Sequence, residues 1–220
     1  MKKKIKADAW DEGIDVVGNN VYKYSGTWTH KLESRMLWHN YWWQQKLMEN
    51  IIKKDEHLLE IGVGTGFAAN YLKSKGFNIT TLDIDPSKKP DIVANIATYN
   101  FDRNYDHILC FEVLEHLPFS DFKTVLLNIH MHCRGFLFMS IPRNEYIFFS
   151  IDIKLKRFRK TFTWRMLHKK ILSHYHQWEV DYGGITISKV ESVILDAGYE
   201  IVKREKHDNK LFYILGSSEK

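Results

Sequence analysis

Between Leu58 and Asp85 the chain runs LLEIGVGTGFAANYLKSKGFNITTLDID, and no other stretch restricts the fold as tightly. Leu58, Leu59 and Ile61 make a short apolar run suited to a strand buried on both faces of a parallel sheet. Glycines at 62, 64 and 66 then turn the chain. Phe67 to Lys75 follows as a helix, and Gly76 stands just past its end, where a left-handed residue closes a helix. Asn78 to Leu82 is rich in β-branched residues and reads as the next strand, with Asp83 at its end. Strand, glycine loop, helix, strand and terminal acid make one nucleotide-binding half of an α/β sheet.

The glycine spacing is G-x-G-x-G, whereas the dinucleotide fingerprint sets its third glycine one residue later. That longer loop admits a pyrophosphate to a helix N-terminus. Here Glu60 stands beside the loop, where it would repel a pyrophosphate. S-adenosylmethionine has no phosphate; its methionine end offers an ammonium to Glu60 and a carboxylate to the loop backbone. Asp83 follows the first glycine by about twenty residues, the distance at which an acid accepts from ribose hydroxyls.

From these residues onward, over Asp55 to Tyr146, the chain resembles the class I S-adenosylmethionine-dependent methyltransferases. The resemblance implies an α/β Rossmann-like fold: a seven-stranded, mostly parallel sheet with an antiparallel last strand, an N-terminal helical cap and an insertion after the fifth strand. It makes Glu60 to Gly66 the first motif and Asp83 the ribose-binding acid. Asn95 occupies the place near the end of the third strand (Asp91 to Asn95) where relatives often read the adenine amino group with an aspartate. Ile84, Ile96 and Phe111 complete the implied cofactor contacts.

Phe111-Glu112-Val113-Leu114-Glu115-His116-Leu117 resembles the family's motif after the fourth strand (Asp106 to Phe111). In the ubiquinone-pathway O-methyltransferases and the small-RNA 2′-O-methyltransferases an E-x-x-E-H at this place binds a divalent cation. The resemblance thus implies Glu112, Glu115 and His116 as metal ligands, on one face of a helix starting there, with His176 as a later fourth. Such a set suits Mg²⁺ or Mn²⁺.

The 220 residues suit one domain. Residues 1–53 form an arm and helical cap, 54–142 the cofactor core, 143–184 an insertion, and 185–220 a last helix (Ser188 to Ala197) with a terminal strand pair (Tyr199 to Lys203, Leu211 to Gly216). Phe119 to Met131 carries the pattern of a helix against the sheet, and Arg134 to Ile141 that of the fifth strand. Within the cap, His30 to Ile52 reads as one or two helices, and its neighbourhood holds Trp28, Trp38, Trp42 and Trp43, either core or an aromatic wall for the acceptor. Met1 to Gly18 reads as a loosely docked arm. Lys2 to Lys6 is followed by Asp8, Asp11, Glu12 and Asp15 rather than an apolar stretch, so a cytoplasmic protein is expected. Cys110 and Cys133 lack ligand-like spacing and read as buried thiols in a reducing compartment.

A formal charge of +5 favours an anionic partner without choosing one. Much of it lies in Ile151 to Lys170, with eight lysines and arginines against one acid, interleaved with Phe158, Phe162 and Trp164. That mixture suits a nucleic acid, an anionic membrane surface, or a solvated or lid helix. His174-Tyr175-His176-Gln177-Trp178-Glu179 follows. A hydroxyl acceptor needs a base near neutral pH, and His116 and His176 are the candidates, with Glu115 as orienting partner. The leading expectation is methyl transfer to a hydroxyl of a small molecule or saccharide. RNA 2′-O-methyl transfer and a catalytically silent adenosylmethionine-binding partner subunit are the alternatives.

Overall fold

The computed structural model describes residues 14–17, 20–23, 32–156, 158–170, 173 and 175–218. Its centre is a parallel run of strands that is largely buried. β3 (His57–Ile61) pairs with β4 (Asn78–Asp83) on one side and β6 (His107–Phe111) on the other; β4 continues to β5 (Ile92–Val93), and β6 to β7 (Leu137–Pro142). β11 (Lys210–Ser217) lies antiparallel to β7, and β10 (Tyr199–His207) antiparallel to β11. The seven-stranded order is β10-β11-β7-β6-β3-β4-β5, and the last strand of the chain is the one that runs against its neighbours, as expected.

Side chains alternate across this sheet. Leu58, Leu109 and Phe138 meet α1 (Arg35–Met48) and α2 (Phe67–Ser74) through Leu47, Met48, Ala69 and Leu72. Leu59, Ile61, Ile108 and Cys110 meet α3 (Phe119–His132) and α4 (Ile187–Asp196) through Phe122, Leu126, Ile129 and Ile194. Both cysteines are buried and free. From β3 the chain winds towards β4 and β5, then returns to wind the other way through β6 and β7. The crevice beyond the carboxyl ends of β3 and β6 is therefore the topological switch point, where ligands enter open α/β sheets.

Several expectations change. The cap is the single helix α1, capped by Ser34, whose Oγ accepts from Leu37 N at 3.3 Å. The third strand shrinks to two residues: at Asp91 side-chain bonds stand in place of ladder bonds, its carboxylate accepting from Thr81 N and Oγ1 and its own N–H donating to Thr81 Oγ1. At the end of the expected arm, β1 (Ile14–Val17) pairs with β2 (Asn20–Lys23) just beyond it; the rest of the arm, and Trp28, lie outside the described residues.

The largest correction concerns Ile151 to Lys170, which is not a helix. β8 (Glu145–Leu155) and β9 (Phe158–Leu167) form an antiparallel hairpin with a bulge between Ile147 and Phe149. Apolar residues alternate along both strands (Phe149, Ile151, Ile153, Leu155, then Phe158, Phe162, Trp164, with Lys160 the exception), the period of a strand. β-branched and aromatic content adds to that preference.

Candidate active site

A cavity of about 340 Å³ opens at the switch point, roofed by α1. Its floor begins at Gly62, whose N–H donates to Leu82 O at 2.8 Å. Gly62 has φ +82°, and a Cβ there would stand 2.3 Å from Val113 Cγ2, so both backbone and neighbour demand glycine. Gly64 also lines the cavity; Gly66 does not, serving instead as the left-handed N-cap of α2.

Asp83 is nearly buried and already bound to the loop: Oδ2 accepts from Val63 N (2.7 Å) and Lys88 Nζ (3.1 Å), Oδ1 from Asp85 N (2.9 Å). Lys88 is the one lysine or arginine among the described residues lining the cavity. Glu60 is buried with Oε2 unpartnered. Burial, opposed by the Ala69 N–H and reinforced by the charge of Asp83, pushes its carboxyl up to about 8. Ile84, Asn95, Ile96 and Phe111 line the same wall, and Asn95 Oδ1 accepts from Ala97 N at 2.9 Å.

The roof is polar. Asn40 and Gln44, one helical turn apart, are buried and line the cavity with Leu37 and Tyr41. Tyr41 hydroxyl meets Thr65 Oγ1 at 2.7 Å and its ring stacks on Phe67, pinning α1 to the glycine loop. Among the described residues the cap tryptophans form no acceptor wall: Trp38 and Trp42 are half exposed, Trp43 stacks on His207, and none of the three lines the cavity.

At the other end, the chain leaves β6 with Glu112 at φ +55° and makes a three-residue turn, Leu114–His116. That turn is too short to set Glu112, Glu115 and His116 on one helical face. The Glu112 carboxylate instead accepts from Ser140 Oγ at 2.8 Å and from Lys210 Nζ. The group that does converge is Glu115, His116 and His176, whose ligand atoms lie within 4.8 Å of one another. Glu115 is fully buried and neither carboxylate oxygen has a hydrogen-bond partner. Burial, then the charge of Glu112, holds its carboxyl well above the usual range.

Both imidazoles are oriented through Nδ1. His116 Nδ1 donates to the Tyr175 carbonyl at 3.1 Å, which fixes the tautomer and leaves Nε2 as acceptor. Burial and the neighbouring His176 lower its pKa to about 4. His176 Nδ1 lies 2.7 Å from Glu179 Oε1, and its Nε2 lies 3.9 Å from Glu115 Oε1. Glu179 is fully buried and also accepts from Asn144 Nδ2 (2.6 Å) and Ser173 N (3.2 Å). Gln177 N to Glu115 O, Gln177 Nε2 to His116 O and Trp178 Nε1 to Leu114 O tie this segment to the turn.

A methyltransferase domain family matches residues 29–187, well over half of the chain. The chain belongs to this family. Among curated relatives it is 29% identical over 100 residues to the ribosomal RNA small subunit methyltransferase A of Mesomycoplasma hyopneumoniae, covering 46% of this chain and 37% of that protein. It is 32% identical over 103 residues to the ubiquinone biosynthesis O-methyltransferase of Rickettsia typhi, covering 40% and 41%. The chain thus spans about two-fifths of the length of these relatives. An S-adenosylmethionine-dependent methyltransferase from Clostridium acetobutylicum shares the fold, with TM-score 0.54, 13% identity, and coverage of 84% of this chain and 93% of that one.

Within this methyltransferase domain, sequence reasoning missed Glu179 as the partner of His176, and Asn40 and Gln44 as cavity residues. The i, i+4 pair of amides on the same helix face as Leu37, Tyr41, Leu47 and Met48 was the available signal for the latter. His174 lies outside the described residues.

Proposed function

We propose that the chain transfers a methyl group from S-adenosylmethionine to a hydroxyl of a small molecule or saccharide in the cytoplasm. The observation that carries this is one cavity with an unpartnered buried acid and glycine backbone at one end and two oriented imidazoles at the other. Glu60 has the free oxygen to receive the methionine ammonium. The Gly64 backbone, with the Asn40 and Gln44 amides, offers neutral donors to its carboxylate. Asp83 retains lone pairs for the ribose hydroxyls, while Ile84, Ile96 and Phe111 give apolar surface to the adenosyl group and Asn95 a polar edge.

The cofactor supplies a methyl already activated by sulfonium charge, so alignment is the protein's main task. His176 is the better base. Its Nδ1 faces a buried carboxylate, which orients the ring with Nε2 as the acceptor of its neutral tautomer and stabilises the imidazolium once Nε2 takes the acceptor proton. His116, lowered to about 4, stays neutral and positions the acceptor. This oriented pair favours turnover over a silent binding module.

Glu115, His116 and His176 also fit a divalent cation, because both Glu115 oxygens are buried and unpartnered. They would hold the ion, and it would lower the pKa of an acceptor hydroxyl. With Glu112 withdrawn, two imidazoles and one carboxylate shift the preference from Mg²⁺ towards Mn²⁺ and later first-row ions. The same trio, with the likeness to a ribosomal RNA methyltransferase, supports RNA 2′-O-methyl transfer as a second reading.

Isothermal titration with S-adenosylmethionine and its demethylated product tests the core claim. Binding to either is expected, weakened strongly by Asp83→Ala; no binding to either overturns it. His176→Ala should spare binding and lower turnover by about 10²–10⁴-fold. Unchanged activity after chelation would remove the metal, and methylation of RNA in preference to small hydroxyl acceptors would install the second reading.

A further inference from the structure

The β8–β9 hairpin sorts its side chains by face. Pairing sets Phe149 opposite Trp164, Ile151 opposite Phe162, Ile153 opposite Lys160 and Leu155 opposite Phe158, and alternation puts these on one side. Ser150 and Thr163, and Asp152 and Thr161, pair on the other side and hydrogen-bond across it. The apolar side is open to solvent, from Ile153 at 40% to Trp164 at 67% exposed. A two-stranded hairpin is marginal in water even when it hides such a face, and a contiguous apolar patch marks a contact surface.

The base of the hairpin is fixed. Glu145 is buried and paired with Arg143 (3.2 Å), Arg165 (3.1 Å) and Lys206 (2.7 Å). Arg143 also binds Asp181 at 2.6 Å, and Asn144 bridges the Lys170 carbonyl and Glu179. The apolar face is thus held out from the domain on a rigid root.

We propose that this face docks on an anionic lipid surface. Over 151–170 basic residues outnumber acids eight to one, and those other than Arg165, which is engaged at the root, supply the charge complementarity. Lys160, the charged residue within the apolar side, has its Nζ 4.9 Å from the Phe162 ring centroid. At a bilayer interface its stem lies along apolar surface while the ammonium reaches headgroups. Against a second copy of the hairpin it would be buried without an acid, since Asp152 faces the opposite side, and an unpaired buried charge is costly. Nucleic acid fits less well: Ile151, Ile153 and Leu155 offer no ring on which a base stacks, whereas aliphatic residues beside Trp164 and Phe162 match an interfacial layer. Docking stands independently of the methyl-transfer reading, so either can fail alone.

Flotation of the full chain with phosphatidylcholine vesicles, with and without phosphatidylglycerol, tests it. The chain is expected to float with the anionic vesicles, less so as salt rises, and to stay behind with the neutral ones. Ile151→Asp should abolish flotation, whereas Thr163→Asp, the same charge change on the polar face, should retain most of it; thermal melts confirm that both variants fold. Brominated acyl chains should quench a fluorescence component that Trp164→Phe removes. Equal losses in the two aspartate variants, or no flotation, would overturn the proposal. So would a solution dimer dissolved by Ile151→Asp, or saturation by polyuridine without vesicle binding.

Discussion

β7 and β8 are separated by two residues and live in different worlds. All six residues of β7 are buried, while in β8 every residue after Glu145 is exposed. β7 is a strand because the sheet and helices on both faces leave its apolar residues no alternative, and its geometry inherits the stability of the whole core. β8 has only β9 beside it. Its persistence rests on cross-strand pairs such as Ile151–Phe162 and on the charged root around Glu145. Strand geometry near the switch point is therefore set by global packing, whereas in the hairpin it is set locally and leaves a face unfilled.

The harshest test of that contrast compares Gly62→Val with Ile153→Ser. Valine at 62 must adopt φ +82° and drive its side chain into Val113. The backbone alone costs about 1–2 kcal/mol, and overpacking raises the total to about 3 kcal/mol or more. Ile153 has no core to lose, so Ile153→Ser should change stability by within about 0.5 kcal/mol. Chemical denaturation measures both, and equal effects would erase the distinction.

Glu145→Ala attacks the root that joins the two regions. It leaves Arg143, Arg165 and Lys206 facing one another without their carboxylate. Breaking a buried pair costs about 3–5 kcal/mol, and because these cations keep some solvent, about 2–3 kcal/mol is expected here. The loss should appear in urea midpoints and in faster amide exchange across β8 and β9.

What could be read from the sequence follows the same divide. Glu60, Gly62, Gly64 and Asp83 were legible because glycine spacing, a short apolar strand and a terminal acid each have few other structural uses. The hairpin was misread because a basic, aromatic segment lacks a buried face, and burial is what makes periodicity unambiguous. Glu112 was misassigned for another reason. Three residues at i, i+3, i+4 share a face only if a helix forms, and here a positive φ and the Ser140 and Lys210 contacts turn that carboxylate elsewhere. Glu179 escaped notice because its role depends on a fold-back that ties residues 175–179 to 114–116, contacts about sixty residues apart along the chain.

A proton measures how closed the cavity is. Glu60 is an acid whose folded pKa, about 8, exceeds its ordinary 4.5, so between those values the folded state holds a proton the unfolded chain has released. Stability contributed by this group therefore falls as pH rises from about 4.5 to about 8, and Glu60→Gln should flatten that slope. Under the proposed function, an ammonium bound beside Glu60 expels the proton. Titration at pH 7 in buffers of differing ionisation enthalpy should then report release of about one proton, vanishing well above pH 8 and in Glu60→Gln. Binding without proton release would mean that the carboxylate is already hydrated and charged.

The smallest effect is the most discriminating. Replacing residues 146–166 by a short turn removes the hairpin while keeping Arg143, Asn144, Glu145 and Lys206. No described residue of that stretch lines the cavity, to which the insertion's described residues contribute Ser173, Tyr175 and His176. The Asn144–Glu179–His176 chain of contacts is untouched, and Glu145 keeps two of its three cations. Cofactor affinity should stay within about twofold, as for distant sites that share no partners, and the melting temperature should fall less than in Glu145→Ala. Vesicle flotation should disappear. A tenfold loss of cofactor affinity would instead make the hairpin part of the cavity's support, through Arg165 to the Asp208 carbonyl and from the Asp208 carboxylate to His39 on α1.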